Sequence, residues 1–171
     1  REVADYAFSR DGQWLVYRAD ASTDEVFDLY SYRLGTPGTT RLSVEGSSGD
    51  VSAFEFGGNG ARTFYLRGGS LFAVPTAGGT PVRLNAALPA GRSVQGFVLN
   101  ATGTRVVYWG NQDSPTRVEL YSVPATGGSP VKLSGTLAAG TNVAGPVWVP
   151  TGSGQALYRV RSSFYYELFR V

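Results

Sequence analysis

The sequence predicts an all-β chain of short antiparallel sheets set in tandem, and three observations carry that expectation. Four segments share one internal spacing. Glycine punctuates the chain at matching places, with Gly 23 of the 171 residues. No window keeps a helical period, because Gly and Pro interrupt each one.

The four segments open at Val3 (VADYAFSRDG), Val51 (VSAFEFGGNG), Val94 (VQGFVLNATG) and Val143 (VAGPVWVPTG), 48, 43 and 49 residues apart. Nine residues after each Val stands a glycine: Gly12, Gly60, Gly103 and Gly152. An aromatic follows, at Tyr17, Tyr65, Tyr108 and, one residue later than the pattern, Tyr158. Next comes a Leu-aromatic pair: Leu29-Tyr30, Leu71-Phe72, Leu120-Tyr121 and Leu168-Phe169. Twelve residues beyond the aromatic sits Leu42, Leu84 or Leu133.

Each unit reads as four strands. The first runs up to the glycine, as in Val3–Ser9. A tight turn follows on Asp11-Gly12, Asn59-Gly60 or Thr102-Gly103, where glycine supplies the positive φ of a hairpin turn. The second strand is apolar (WLVYR, RTFYLR, RVVYWG, ALYRV), and the third alternates (DLYSYRL, ELYSVPA), as a half-buried strand does. Turn chemistry (GTPGT, TAGGTP, ATGGSP) leads to a short fourth strand (TTRLS, PVRLN, PVKLS). The Gly-Gly pairs precede no helix, so they read as turns and not as phosphate loops.

Four-stranded antiparallel units of roughly 40–45 residues in tandem predict a β-propeller, in which neighbouring blades cover faces that one sheet cannot cover alone. The blades run approximately over 1–46, 47–91, 92–140 and 141–171. About four are present, and the last lacks its outer strand, because Phe169 plus twelve falls beyond Val171. Three arrangements stay open: part of a larger propeller of roughly six to eight blades, two copies in one ring, or a self-closed four-bladed ring. All leave an edge strand, FYYELFRV, long and aromatic, that calls for pairing with further blades or with another chain.

Composition removes whole classes of chemistry. With His 0 and Cys 0 the chain has no imidazole-based triad or metal site, no disulfide and no thiolate nucleophile. A net charge of +2 is too small for a nucleic-acid footprint. No apolar run approaches the ~20 residues of a membrane span. The opening REVADYAFS shows neither the basic nor the apolar region of a secretory leader. Without an initiating Met, a mature form or a piece of something larger is expected.

Phe8-Ser9-Arg10-Asp11-Gly12-Gln13-Trp14-Leu15-Val16-Tyr17 resembles the F-S-P-D-G-x-x-I/L-A/V-Y/F repeat of the TolB-like, or WD40-like (PD40), β-propeller family. The later units, GGNGARTFY, NATGTRVVY and PTGSGQALY, carry diluted copies. The resemblance covers the whole chain as architecture and marks a repeat, not an activity. It implies a bacterial, extracytoplasmic setting, periplasmic or secreted, and a protein partner held at one face of the ring.

Candidate sites are few. In a propeller the loops joining second to third strands lie on a face that often binds partners. Such loops are expected at Asp20, Asp24 and Glu25, continuing to Asp28, then at Asn111, Asp113 and Arg117, and finally at Arg161-Ser162-Ser163. The acidic stretch has carboxylates for calcium but no calcium-loop spacing, so a solvated loop is the expectation. Arg117, Arg161 and Tyr165 are of the residue types that anchor interfaces. Alternate residues of the first strands would line the axis. Asp5 and Glu55 are the only carboxylates among them, the rest being small or apolar like Gly96 and Val147, which suits close packing. Asp11 is expected to bond nearby backbone in its turn. No catalytic residue, metal or cofactor is expected. The chain reads as a non-enzymatic propeller module for protein–protein interaction or envelope scaffolding. The alternative is the gating propeller of a prolyl-oligopeptidase-type peptidase, for which no G-x-S-x-G elbow occurs in this sequence.

Overall fold

The computed structural model describes residues 2–45, 49–148 and 154–171. Its strands are β1 (Val3–Phe8), β2 (Trp14–Thr23), β3 (Val26–Arg33), β4 (Thr39–Arg41), β5 (Val51–Phe56), β6 (Arg62–Arg67), β7 (Ser70–Pro75), β8 (Val82–Arg83), β9 (Val94–Leu99), β10 (Arg105–Ser114), β11 (Arg117–Pro124), β12 (Val131–Lys132), β13 (Asn142–Trp148), β14 (Ala156–Arg161) and β15 (Tyr166–Arg170). Among the described residues there is no helix. The strands form antiparallel meanders, β1 to β4, β5 to β8, β9 to β12 and the three-stranded β13 to β15. These are the blades the repeat predicts, with a fourth strand only two or three residues long.

The turns between first and second strands obey the sequence. Gly12, Gly60 and Gly103 have φ of 67°, 74° and 66°. In two turns the residue ahead of the glycine ties down the backbone, and in the third Asn100, three residues ahead, does so. Asp11 Oδ1 accepts the Gln13 N–H at 3.0 Å and the Ser9 hydroxyl at 2.5 Å. Asn59 Oδ1 takes the Ala61 N–H at 3.1 Å, and Asn100 Oδ1 the Thr104 N–H at 2.8 Å. Gly152, the fourth such glycine, lies outside the described residues, as does the side chain of Val147.

Second and third strands pair in one register throughout. Tyr17 faces Tyr30, Tyr65 faces Phe72, Tyr108 faces Tyr121 and Tyr158 faces Phe169. Each pair is stacked, with centroids 5.5, 5.3, 5.1 and 5.5 Å apart and planes within 22°. A second regularity has no mark in the sequence. In all four sheets the register between first and second strands slips just after the repeat Val, at Val3/Asp5, Val51/Ala53, Trp109/Gly110 and Val143/Pro146. Such bulges bend the strand and raise its twist.

The chain forms two compact units, Arg1–Arg83 and Leu84–Val171. In the first, two sheets bury Val16, Leu29 and Leu42 against Val51, Tyr65 and Val74. In the second, Val107, Leu120 and Leu137 meet Val143, Tyr158 and Val160. Each core thus joins residues of two blades, as expected where one sheet cannot hide both faces.

Close approach at the bulge of the third sheet requires glycine. A Cβ on Gly110 would stand 2.3 Å from the Ser93 carbonyl oxygen, which is backbone and cannot swing away. Gly110→Ala is therefore expected to destabilise the fold by about 1–3 kcal/mol through overpacking. At Gly12 a Cβ meets nothing within 4 Å and only its φ of 67° is unfavourable, so Gly12→Ala is expected to cost about 1 kcal/mol. Denaturant melts of the two variants check the order.

Candidate functional site: charge clusters and exposed hairpin ends

The carboxylates of this chain are best followed from the repeat. The residue before the Leu-aromatic pair of the third strand is Asp28, Ser70, Glu119 or Glu167. The residue before the Leu of the fourth strand is Arg41, Arg83 or Lys132. Strand pairing sets Arg41 opposite Tyr30 and Lys132 opposite Tyr121. The cation thereby lies diagonally across from the acid two positions before the aromatic, on the same face.

In the first unit Asp28 is buried, at 1% exposure. Its Oδ2 accepts from Arg41 Nη2 at 2.8 Å, and its Oδ1 from the Ser43 hydroxyl at 2.8 Å. Arg67, at the end of β6 in the next sheet, completes the cluster through Nη1. Burial alone would raise the Asp28 carboxyl. The Arg67, Ser43 and Arg41 hydrogen bonds outweigh it and hold the group below its ordinary value. Tyr65 lies beside the cluster and accepts the Val44 N–H at 3.2 Å; burial pushes its phenol up to about 12.

The second unit repeats the plan with the chain's only lysine. Lys132 Nζ lies 3.0 Å from Glu119 Oε1 and 2.7 Å from Asp113 Oδ2. The Tyr121 hydroxyl donates to Glu119 Oε2 at 3.1 Å. Desolvation would lower the Lys132 amine, but its bonds to Asp113 and Glu119 prevail and raise it. The hydrogen bond from Lys132 holds the Asp113 carboxyl low. Two carboxylates thus share one ammonium, an arrangement that ties β10, β11 and β12 together.

The residues singled out from sequence fall into several settings. Asp20 to Thr23 and Asn111 to Ser114 are not loop. They extend β2 and β10, and the connections shrink to the two-residue hairpins Asp24-Glu25 and Pro115-Thr116. The physical reason is pairing: Thr23 faces Val26 and Ser114 faces Arg117, so the polar composition does not release the backbone. Asp20 is buried and accepts the Glu2 N–H, so the expected solvated acidic loop reduces to the exposed Asp24 and Glu25. Asp28 turns instead toward Arg41 and Arg67. Among the described residues no three of His, Cys, Asp and Glu are grouped to hold a metal.

Asn111 holds structure: its Oδ1 accepts the Ser93 N–H at 2.6 Å, and its Nδ2 donates to the Gly91 carbonyl at 3.3 Å. Asp5 is engaged by Arg18 through two bonds, 2.6 and 2.9 Å. Glu55 lines a shallow depression of about 400 Å³ with Phe8, Arg10, Phe54 and Phe56, and desolvation raises its carboxyl. Gly96 lies under the Trp109 ring, where a Cβ would stand 2.2 Å from the ring. Arg117 is half-buried, while Arg161 is exposed. Arg161 borders a polar groove of about 390 Å³ with Gln95, Asn142, Ser162 and Ser163. The last hairpin differs from expectation. Ser162 to Tyr165 form a turn in which Ser162 Oγ accepts the N–H groups of Phe164 and Tyr165, so β15 starts only at Tyr166.

The Arg67, Ser43 and Arg41 contacts went unseen in the sequence. The signal that could have found two of them is the paired position, acid before the third-strand Leu and cation before the fourth-strand Leu. Arg67, 39 residues away, has no such mark.

Two predictions follow from the clusters. Asp28→Ala leaves Arg67 buried without its counter-charge and is expected to cost about 3–5 kcal/mol in a denaturant melt. Because the folded Asp28 carboxyl sits below its ordinary 3.8, the unfolded chain takes up this proton first on acidification. The stabilisation is full well above 3.8 and is lost as pH falls through the folded value. Asp28→Asn should remove that part of the acid slope, read from melting temperature between about pH 6 and 2.

No protein-family model matches the chain, and no curated protein sequence does. Solved structures do. A protein assigned as TolB from Agrobacterium tumefaciens superposes with a TM-score of 0.63 and 11% identity, over 98% of this chain and 60% of its own. Dipeptidyl peptidase 4 from Porphyromonas gingivalis gives 0.77 and 11%, over 99% of this chain and 31% of its own. An oligogalacturonate lyase from Vibrio parahaemolyticus gives 0.61 and 14%, over 91% and 45%. The chain therefore spans three fifths or less of the length of each of these structures. With the meanders and their repeated register, the likeness fixes the architecture: the chain is built of β-propeller blades of the TolB-like fold.

Proposed function

We propose that the chain is a non-enzymatic propeller module that recognises a protein partner, in the manner of an envelope scaffold outside the bacterial cytoplasm. The observation that carries this reading is how the charged side chains are used. Asp5, Asp28, Asp113 and Glu119 are each held by an Arg or Lys that joins strands. At the hairpin end of the last sheet, by contrast, Arg161, Ser163 and Tyr165 face solvent, the first two bordering the groove. An open, polar groove bordered by Arg161 and amide and hydroxyl side chains suits a protein surface better than a small reacting molecule. No helix among the described residues is long and apolar enough to cross a membrane.

A second reading is supported by the likeness to dipeptidyl peptidase 4. In it the chain is the gating propeller of a prolyl-oligopeptidase-type peptidase, and the hydrolytic serine belongs to another domain of the same polypeptide. A reading frame that encodes an α/β-hydrolase domain would favour it over the scaffold.

A photo-crosslinking residue at Ser163 tests the first reading against one at Ala101, in an exposed turn between first and second strands. Discrete protein adducts from position 163, absent from position 101 and weakened by Arg161→Ala, are expected. Adducts equal at both positions, or cleavage of prolyl peptides by the purified chain, would contradict it.

A further inference from the structure

The turn between β5 and β6 holds the chain's only Asn-Gly pair, Asn59-Gly60; the other asparagines precede Ala, Gln or Val. In such a pair the asparagine side chain is open to attack from its own backbone. The nitrogen of the next residue can close on the side-chain carbonyl carbon, and a glycine there has no Cβ to obstruct the approach. The structure shows how this pair is held. Gly60 donates its N–H to the Gly57 carbonyl at 2.7 Å, and Gly57 donates its own to the Arg62 carbonyl at 2.8 Å. Asn59 Oδ1 accepts the Ala61 N–H at 3.1 Å. Gly60 is buried, with a φ of 74°. A Cβ on it would stand 3.0 Å from the Ser9 Cβ, so the turn of the second sheet rests on that of the first.

These contacts oppose ring closure. The nucleophile is the Gly60 nitrogen once it has lost its proton, and that proton is committed to the Gly57 carbonyl. The electrophile is Asn59 Cγ, and swinging it onto the nitrogen breaks the bond to Ala61. The reaction therefore waits on a local opening of the turn, and its rate follows the population of the open state. Opening must also part Gly60 from Ser9 of the neighbouring sheet, which couples the turn to the packing of the first unit.

We propose that Asn59-Gly60 is a site of spontaneous deamidation, silent while its turn is closed and released when the first unit opens. In the open turn the Gly60 nitrogen gives up its proton and bonds to Asn59 Cγ. The bond from Cγ to the side-chain nitrogen breaks, and that nitrogen leaves as ammonia with the proton. Water then opens the five-membered imide. Attack at Cγ leaves an aspartate at position 59; attack at the backbone carbonyl carbon leaves an isoaspartate. One water is consumed and no oxidant or reductant is needed. The two products differ in consequence. The first sheet already carries an aspartate at this place: Asp11 Oδ1 accepts the Gln13 N–H at 3.0 Å, and Gly12 donates to the Ser9 carbonyl at 2.9 Å. An aspartate at position 59 thus fits the turn. An isoaspartate adds one carbon to the backbone ahead of Gly60 and moves its N–H off the Gly57 carbonyl. A turn that has reacted in this way does not close again, so the modification is a one-way record of opening.

The test incubates the whole chain in mildly alkaline buffer, with and without denaturant, and follows each asparagine by mass spectrometry of its peptides. In denaturant the mass gain of amide-to-acid conversion is expected at Asn59 ahead of every other asparagine. In native buffer the rate at Asn59 is expected to fall at least about tenfold, which corresponds to ~1.4 kcal/mol of opening free energy. Asn59→Asp, which makes the first product directly, is expected to fold and to melt close to the parent chain. Chain carrying the isoaspartate, separated by chromatography, is expected to melt lower than Asn59→Asp. Equal rates in native buffer and in denaturant overturn the gate. Another asparagine reacting before Asn59 in denaturant overturns the site. An Asn59→Asp chain that does not fold, or an isoaspartate chain that melts with it, overturns the assignment of the two products.

Discussion

A tyrosine of each second strand lies flat on an aromatic ring of the third, and the other regularities of the molecule hang from that contact. The four stacks agree within half an ångström in separation, 5.1 to 5.5 Å. An aromatic pair of this kind contributes about 0.5–1.5 kcal/mol beyond the area it buries. Its larger effect is on register. A slip of one residue would turn the whole apolar set of a strand to the wrong face, so the stack and the Leu beside it select one pairing. With that pairing fixed, the acid two residues before the ring and the basic residue across from it meet without further design, as at Asp28 with Arg41 and Glu119 with Lys132.

This explains why the charged residues form structure more readily than a reactive centre. A buried carboxylate is tolerated only when paired and hydrogen-bonded. Asp28 meets that condition with two guanidinium groups and a hydroxyl. Glu119 meets it with Lys132 and the Tyr121 hydroxyl. In the second sheet Ser70 stands where the acid would be, and Arg83 lies over Phe72 without one. The cation on the ring is thus the more general feature, and the ion pair is added where the sequence supplies an acid.

Most of the fold was legible because its cause is local and repeated. Turn glycines, the Leu-aromatic pair and the short fourth strand each sit at a fixed offset, so one reading serves all units. The slip after the repeat Val was not legible, since a bulge depends on how two strands meet and Val3, Val51, Val94 and Val143 carry no special residue for it. The hairpin ends were misjudged for a related reason. Asp20 to Thr23 and Asn111 to Ser114 look like loops by composition, but each stretch carries a register slip inside a strand that resumes pairing at Thr23 and Ser114, and the Asn111 side chain is held by residues 91 and 93. The clusters were the least visible, because Asp28 meets Arg41 and Arg67 from 13 and 39 residues away and periodicity speaks only to the nearer partner.

The fourth strand is the same device in the three sheets that have one, and in the first and third its serine is held as tightly as its cation. Amide hydrogen exchange resolved by residue tests this most directly. Leu29 and Leu120 donate their N–H groups to serines of β4's and β12's continuations, Ser43 and Ser134, in buried positions, and slow exchange is predicted for both. Phe164, in an exposed turn where its N–H meets only the Ser162 hydroxyl at 3.2 Å, should exchange fast by comparison. Exchange of Leu29 and Leu120 as fast as that of Phe164 would contradict the account.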